Sequence, residues 1–395
     1  MRFSTCLIFL TIFISAILQI ASAHTCVPTN GGVETCDGID NNCNGLTDEG
    51  LYGCNIYLDQ VAPHVPNGAS SDLIDDANGI AFYDRFIYAS DSASHVIRQI
   101  DPIRGSSVIL AGSLGNPGMA DGTGSNALFD TPQALAFAKS TGLLFVVDQG
   151  NDAIRALNVT SGAVWTVAGN GTAGSQDGKA LAATFDNIMG ILVSNNGRTI
   201  LVADNGNNKI RKIRDGVVST FAGTGAQGNQ DGLCTSGATL NGPVGMTEDS
   251  LGNIYFSEDS HDIRMISFPN GTCTVSLFAG SPGNSGTSVG PALGASCFNN
   301  PQGLGVDFQD NIYVADSNNG QIRVVYQSSG NVAVYSTNAP TLQYPTSVAV
   351  HVQATGPYPV LYIGDQGAQN VLYSYGKKER KKIWLKAKKN LNKTK

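Results

Sequence analysis

Residues 201–223, LVADNGNNKIRKIRDGVVSTFAG, contain a pattern that returns along most of the chain. An apolar run ends on an acidic residue, a small polar turn follows, and then come Ile-Arg, a Gly turn and a second apolar run that ends in Ala-Gly. The pattern occurs six times. The acidic residues are Asp91, Asp148, Asp204, Glu258, Asp316 and Asp365, and the apolar positions six or five residues later are Ile97, Ile154, Ile210, Ile263, Ile322 and Val371.

The spacing of these copies indicates what each one builds. Successive Ile or Val positions lie 57, 56, 53, 59 and 49 residues apart. This period is too long for one turn of a solenoid with a single strand per repeat, and it fits one four-stranded sheet per copy. Repetition of such sheets predicts a β-propeller. Each copy opens with a small or proline-marked entry into an apolar strand, as expected where inner strands crowd a central axis.

The pattern resembles the NHL repeat family, in its form IYVAD-x-x-N-x-x-I-R followed by TFAG-x-G. The likeness covers roughly three-quarters of the chain and is weakest in the sixth copy, where no Arg follows Val371. It implies an all-β fold, a six-bladed propeller over residues 55–386. Ring closure normally needs a strand from the other terminus. Two segments qualify, NIYLDQVA at 55–62 and KIWLK at 382–386.

The beginning of the chain predicts export. Arg2 precedes an apolar stretch over 6–20, and Ala21-Ser22-Ala23 forms a small-x-small cleavage site, which is typical of a secretory signal peptide over 1–23. The alternative is an uncleaved signal anchor. We therefore expect a secreted or surface-displayed protein whose mature chain begins at His24. In a glycosylating cell, four N-x-Thr sequons would then matter, at Asn158, Asn170, Asn270 and Asn392.

Cysteine positions also suit an oxidising compartment. Without Cys6, seven cysteines remain, and four of them fall in the short stretch from Cys26 to Cys54. This density predicts two disulfides that staple a small module over 24–54, with the pairing left open. Among the three later cysteines, Cys234 and Cys297 both lie in connections between copies. The sequence therefore favours that pair and leaves Cys273 free.

The Cys-rich module contains a candidate calcium loop, CDGIDNNCNGLTDEG, over 36–50. Oxygen-bearing side chains at alternate positions, followed by Gly45, match the first half of an EF-hand-type loop, D-x-[DN]-x-[DN]-G. A standard loop closes with Glu at position twelve, which here is Leu51. The segment resembles the CDGxDNxCxGxxDEG calcium-loop module of secreted multi-module proteins; the alternative is an ion-free turn. The expected ligands are Asp40, Asn42, Asn44, the carbonyl of Leu46, and Asp48 or Glu49.

The repeated Asp and Arg are interpreted as structural, because six equivalent copies cannot all be one active site. The acidic side chain would cap a turn and the Arg would pair with carboxylates between blades. His95 and His261 are likewise expected to be turn residues. Non-repeating positions near the end of each inner strand should ring one mouth of the channel. They are Tyr83, Ala138, Ser194, Asp249, Asp307 and His351.

Asp249, Asp307 and His351 come from consecutive copies, so they are the candidates for an axial metal or for acid–base catalysis. This is the alternative hypothesis, a metal-dependent lyase or hydrolase, as in some relatives of the NHL family. Asp at this place commonly begins a turn instead. The sequence contains no Gly-Lys-Ser/Thr phosphate loop, no G-x-S-x-G and no H-E-x-x-H. We therefore assign no catalytic or organic cofactor site, and calcium is the one expected cofactor.

Charge distribution limits the partners. The C-terminal segment, 377–395, holds ten Lys or Arg and one Glu, a net of +9, whereas the whole chain has a formal net charge of -7. A basic tail on an acidic body could bind polyanions or anionic lipid, or could be a solvated end. The acidic body argues against nucleic acid as the main partner. We expect a monomer that binds protein or glycan through loops on one face of the propeller.

Overall fold

The computed structural model describes residues 56–60, 74–102, 106–335, 342–351 and 359–376. All of them belong to the unit that begins at Asn55. The signal peptide, the candidate calcium loop with Asp40, Asn42, Asn44, Leu46, Asp48 and Glu49, and the basic tail lie outside the described residues. Within the described ranges, no helix has the length and apolar character needed to cross a bilayer.

Six antiparallel sheets confirm the six-bladed propeller. The first sheet, blade 1, contains β2 (Ala77–Tyr83), β3 (Phe86–Asp91), β4 (Val96–Asp101) and β5 (Ser106–Ala111). Blade 2 contains β6 (Gly122–Thr123), β7 (Pro132–Ala138), β8 (Leu143–Asp148), β9 (Ala153–Asn158) and β10 (Ala163–Ala168). Blade 3 contains β11 (Gly178–Lys179), β12 (Ile188–Val193), β13 (Ile200–Asp204), β14 (Lys209–Arg214) and β15 (Val217–Ala222).

The remaining blades repeat this order. Blade 4 contains β16 (Gly232–Leu233), β17 (Pro243–Glu248), β18 (Ile254–Glu258), β19 (Asp262–Ser267) and β20 (Thr274–Gly280). Blade 5 contains β21 (Gly290–Pro291), β22 (Pro301–Val306), β23 (Ile312–Asp316), β24 (Gln321–Tyr326) and β25 (Asn331–Val334). Blade 6 contains β26 (Pro345–His351), β27 (Val360–Asp365), β28 (Asn370–Gly376) and β1 (Ile56–Gln60). Short 3-10 turns lie at Gly124–Asn126, Gln149–Asn151, Ala180–Ala182, Asn205–Asn207, Pro269–Gly271 and Ser317–Asn319.

The N-terminal strand closes the ring. β1 pairs antiparallel with β28, with Ile56 opposite Gly376 and Gln60 opposite Leu372. The first of the two closing segments that the sequence offered is therefore confirmed, and the fourth-strand position of blade 6 is filled without residues 382–386. Inner strands of successive blades contact each other around the ring, including β26 with β2. The Thr346 hydroxyl donates to the Ala77 carbonyl across that last junction, at 2.9 Å.

Apolar side chains fill the spaces between neighbouring sheets. Between blades 3 and 4, for example, Leu201 and Ala203 share one buried cluster with Met246 and Phe256. Burying a Leu, Met or Phe side chain contributes about 1.5–3 kcal/mol. Equivalent clusters join the other pairs of blades. The apolar runs that marked the copies in the sequence therefore pack in the contacts between copies.

A two-residue fifth strand, which the sequence pattern did not predict, covers the outer edge of blades 2 to 5. It comes from the connection that leaves the preceding blade, as when β16 pairs with β20. Such a strand shields an outer edge that would otherwise expose unpaired backbone groups.

This fifth strand also explains why the expected pairing of Cys234 with Cys297 is wrong. Cys234 follows β16 directly and so lies opposite Cys273, which precedes β20. The structure joins Cys234 to Cys273, with 5.5 Å between their Cα atoms, and Cys297 is free and half-buried. The sequence argument considered only connections of neighbouring blades and missed a bridge within one blade.

Candidate functional site

Strand direction defines two faces of the propeller. Inner strands begin on the face that also carries the turns between second and third strands, which we call the upper face. Turns between first and second strands, and between third and fourth, lie on the lower face. The inner strands approach one another closely: a side chain at Gly245 would overlap the Gln302 carbonyl oxygen, and one at Gly303 would lie 2.7 Å from the Ser347 Cα atom. Small residues are thus required at the axis, as the sequence predicted.

A cavity of about 90 Å³ lies on the axis at the upper face. A water molecule occupies about 30 Å³ in the liquid, whereas pockets that enclose a whole small ligand measure roughly 300–1,000 Å³. The cavity can therefore take waters or one polar group of a ligand that lies across the face. Among the residues that the structure describes, those that line it carry no charged side chain. The lining residues are 78–80, 133–135, 189–191, 244–246, 302–304 and 346–348.

Side-chain amides form a continuous hydrogen-bonded chain beside this cavity. The Gln133 amide donates to Gln149 at 3.2 Å, and Gln149 donates to Asn187 at 2.7 Å. Asn187 donates to Asn205 at 3.2 Å, and Asn205 donates to the Asp259 carboxylate at 3.1 Å. Within the chain, Gln149, Asn187 and Asn205 each donate and accept one hydrogen bond, whereas Gln133 only donates. The Gln149 amide also donates to the Met189 sulfur and the Asn205 amide to the Pro243 carbonyl, so spare donors remain on Gln133 and Asn187. Each amide oxygen keeps capacity for a further hydrogen bond. These residues cross blades 2, 3 and 4, and we call them the amide chain.

In blades 1 to 4, the last residue of the turn between the second and third strands accepts a hydrogen bond from a backbone N–H of the next blade. His95 and His261 have positive φ angles of 60° and 68°, which confirms them as turn residues. Their Nδ1 atoms accept the backbone N–H of Thr131 at 3.1 Å and of Asn300 at 3.0 Å. Asp152 and Asn208 accept the N–H groups of Asn187 and Gly242 in the same way. These bonds hold neighbouring blades in register around the upper mouth.

The repeated Asp and Arg have a structural role. In blade 2, Arg155 donates to Asp148 at 2.7 Å and to Asp121 at 2.8 Å, and it lies over the Phe129 ring. Asp148 also accepts the Asp130 N–H, so it caps the connection that precedes the inner strand. Burial raises the pKa of Asp148 to about 6, although the Arg155 charge and these hydrogen bonds favour the carboxylate.

Blades 3 and 4 repeat this network, and blades 1 and 5 repeat its first ion pair. The second carboxylate comes from the Asp-Gly of the connection in blades 2, 3 and 4, a partner that the sequence pattern did not reveal. Arg211 contacts Asp204 at 2.7 Å and Asp177 at 2.6 Å. Arg264 contacts Glu258 at 3.3 Å and Asp231 at 2.7 Å. Arg323 contacts Asp316 at 3.1 Å, and Arg98 contacts Asp91 at 2.6 Å.

At the lower face, the carboxylates of Asp249 and Asp307 are used within their own turns. Asp249 accepts the N–H groups of Leu251 and Asn253 and the Tyr255 hydroxyl, the last at 3.0 Å. Asp307 makes the corresponding bonds in blade 5, including one from the Tyr313 hydroxyl at 3.1 Å. Both side chains therefore behave as the turn residues that the sequence offered as the simpler interpretation.

His351 does not complete a metal site with these two carboxylates. Its ring lies against Phe82, with centroids 4.3 Å apart. Burial lowers its pKa, and the Lys139 charge acts in the same direction. In the described part of the chain, no three His, Cys, Asp or Glu side chains form a group that could hold a metal. Tyr83 stacks on Phe137 at 4.0 Å, so aromatic rings occupy this side of the lower mouth.

Known proteins resemble this chain in repeat and in fold. The NHL repeat model matches residues 298–325, within blade 5. NHL repeat-containing protein 2 of Bos taurus is 26% identical over 301 residues, 67% of this chain and 41% of the relative. SUPPRESSOR OF QUENCHING 1 of Arabidopsis thaliana is 29% identical over 171 residues, 42% of this chain and 16% of the relative. These findings support an NHL-repeat β-propeller. The chain spans less than half the length of these relatives.

Solved structures agree on the fold alone. An auxiliary nutrient binding protein from Bacteroides thetaiotaomicron gives a TM-score of 0.59 at 10% identity, over 81% of this chain and 76% of that chain. A gluconolactonase from Xanthomonas campestris gives 0.53 at 14% identity, over 80% and 88%. The NHL-type propeller therefore shares its architecture with both binding proteins and enzymes.

Proposed function

We propose that this chain is a secreted or cell-surface binding protein whose upper face takes a protein or glycan ligand. The observation that carries the proposal is the uncharged axial cavity beside the amide chain. Amides offer donors and acceptors together, so they suit the hydroxyls of a glycan or the backbone of a peptide. Since the cavity is small, the ligand lies across the face and inserts one polar group.

The test compares ligand binding by a variant of the upper face with binding by a control variant of the lower face. The probes are an array of neutral oligosaccharides and an array of immobilised peptides, both screened with the purified full chain. For any ligand found, Gln133→Leu with Asn187→Leu should weaken binding at least about tenfold, which corresponds to about 1.4 kcal/mol. Ser329→Leu, an exposed lower-face control, should not. Binding that survives the upper-face change and is lost in the control would refute this placement.

We also propose that the chain is exported and that residues 36–50 bind one calcium ion. Support comes from oxygen-bearing side chains at alternate positions before a glycine, within a Cys-rich segment that follows a signal-type sequence. Secreted protein should begin at His24 and contain one calcium, lost with Asp40→Ala and kept with the neighbouring control Asp37→Ala. Equal loss in both variants, or calcium-free wild type, would contradict the assignment.

Glycosylation is a further part of this proposal. Asn170 and Asn270 are exposed, and Asn158 ends β9, where its side-chain oxygen accepts the N–H of Thr160 in the following turn at 3.0 Å. Surface turns of this kind leave the amide nitrogen accessible to a glycan. Secretion from a glycosylating host followed by glycosidase treatment should reduce the apparent mass; an unchanged mass would refute this part.

A further inference from the structure

Two large apolar side chains stand exposed on neighbouring turns of the lower face. Leu251 in blade 4 is 83% exposed and Phe308 in blade 5 is 58% exposed. The two turns are joined, because the N–H and the hydroxyl of Ser250 donate to the Asp310 carboxylate at 2.9 and 2.7 Å. Single exposed apolar residues are common, but these two lie on turns that are bonded to each other, so they belong to one region of the lower face.

The surroundings of this pair are acidic. Glu248 and Asp310 lie in the same two turns, and the lower-face turns of blades 4 and 5 (248–254, 266–275, 306–312 and 325–332) contain no Lys or Arg. The lower-face turns of blades 1 to 3, in contrast, contain basic residues, namely Arg85, Lys139, Arg198 and Arg214. We call Leu251, Phe308, Glu248 and Asp310 the acidic apolar patch. Its charge favours a partner that is both basic and apolar.

The chain itself contains such a segment, and it starts nearby. β28 is the third strand of blade 6, so its last residue, Gly376, lies at the lower face, in a blade that packs against blade 5 on one side and blade 1 on the other. The segment that follows, 377–395, carries a net charge of +9 and encloses Ile383, Trp384 and Leu385. Because β1 fills the fourth-strand position of blade 6, this apolar trio is not needed to close the ring.

Chain length permits the contact. Seven residues lead from Gly376 to Ile383, and an extended chain covers about 3.3 Å per residue, so the trio can reach about 23 Å from the end of β28. Face-to-face sheets lie about 10 Å apart. This reach crosses from blade 6 past blade 5 to blade 4, where Leu251 lies.

We propose that the C-terminal segment 377–395 docks on the acidic apolar patch of its own propeller. Ile383, Trp384 and Leu385 cover Leu251 and Phe308, and the flanking lysines face the carboxylates. The apolar contact removes exposed hydrocarbon from water, and the opposite charges orient the segment. The tail is then an intramolecular ligand of the lower face and leaves the upper face open.

Trp384 reports on this contact directly. The chain has two tryptophans, so Trp165→Phe leaves Trp384 as the only one. In this parent, Trp384 should emit at short wavelength and resist quenching by acrylamide. Adding Leu251→Ser and Phe308→Ser should move the emission to longer wavelength and raise the quenching several-fold. Leu181→Ser, a control at a residue 63% exposed in blade 3, should change neither.

Salt gives a second readout in the same samples. Raising the ionic strength from low to about 1 M shortens the Debye length to roughly 3 Å and should loosen the contact in the parent. A Trp384 that is as accessible in the parent as in the double variant would overturn the proposal, and heparin or anionic vesicles would then be the partners to test. Protection that persists in the folded double variant would also overturn it, since the tail would then bind elsewhere.

Discussion

Blades 3 and 4 hold their buried arginines with different carboxylates. In blade 3, Arg211 contacts Asp204 and Asp177 at 2.7 and 2.6 Å and lies over the Phe185 ring. In blade 4, Arg264 contacts Asp231 at a similar distance of 2.7 Å but contacts Glu258 at the longer distance of 3.3 Å. The position of Phe185 is taken there by Leu240, which offers no aromatic face to the arginine. The same architecture therefore surrounds two arginines with unequal support.

Blade 4 also contains one more buried carboxyl group. Asp262 is fully buried, and in the described structure its Oδ2 atom has no hydrogen-bond partner. Burial, and secondly repulsion from Asp262, raise the pKa of Glu258 to about 8. Burial also raises the pKa of Asp262 itself. Burial raises the pKa of Asp204 in blade 3 as well, so what distinguishes blade 4 is the added repulsion between Glu258 and Asp262. We therefore expect the stability contributed by blade 4 to depend more strongly on pH than that of blade 3.

The largest expected effect comes from breaking the better-paired network. Arg211→Met leaves the buried Asp204 carboxylate without its cation, and loss of one partner from a buried pair typically costs about 3–5 kcal/mol. Urea denaturation at neutral pH should show this loss in the free energy of unfolding. The neighbouring variant Lys212→Met, at a half-buried strand position, should cost less than about 1 kcal/mol. Equal costs in both variants would mean that the ion pair of blade 3 adds nothing specific.

The second largest effect concerns the pH dependence of stability, which should distinguish blade 4 from blade 3. The folded-state pKa of Glu258 lies near 8, above its ordinary value of 4.5, so the folded protein holds a proton that the unfolded chain releases. Its contribution to stability is fully present below pH 4.5 and is lost as pH rises through 8. Glu258→Gln should remove this slope and stabilise the fold by about 2 kcal/mol above pH 8. Urea titrations from pH 5 to 9 measure it.

The matching control lies in blade 3. Burial also raises the pKa of Asp204, and hydrogen bonds from the Asp186 N–H and from Arg211 act against the shift, as the corresponding bonds do for Glu258. Among its described residues, blade 3 has no second buried carboxyl group like Asp262, and its ion pair is shorter. Asp204→Asn weakens a 2.7 Å ion pair, so it should destabilise the fold at neutral and at alkaline pH. If Glu258→Gln behaved like Asp204→Asn, with a loss at every pH, then Glu258 would be an ordinary ionised partner of Arg264.

Sequence patterns revealed the blades but only half of these networks. The acidic residue and the Arg recur at a fixed short spacing, but we expected the Arg to pair with carboxylates between blades, and the structure also pairs it with the acidic residue of its own blade. Asp177 lies far before Arg211 in the sequence, in a Gly-rich connection, and the two-residue strand that brings it back has no periodicity to detect. The Cys234–Cys273 bridge was missed for the same reason.

The upper face was less predictable still. The amide chain joins residues from different positions of different copies, such as Gln133 at an inner strand and Asn205 in a turn. A repeat alignment treats such positions as variable. The one available signal was the frequency of Asn and Gln in the turns after the acidic residue, as in Gln149 and Asn205. That signal alone favours turns, because these side chains suit turn backbones, and it does not show that the amides meet.

The smallest expected effect tests whether the Phe185 ring stabilises the buried Arg211. Phe185→Leu gives blade 3 the residue that blade 4 has at this position, and it removes a ring whose centroid lies 5.2 Å from the Arg211 guanidinium carbon. Loss of the cation–π contact and of a few buried atoms should cost about 1–2 kcal/mol. Phe221→Leu, in the outer strand of the same blade and over the exposed-side Lys212, should cost less. The comparison is sharpest at high salt, where surface attraction is screened and the buried contact persists. A cost for Phe185→Leu no larger than for Phe221→Leu would show that Leu240 supports Arg264 as well as Phe185 supports Arg211, and blade 4 would then differ from blade 3 in its carboxyl groups alone.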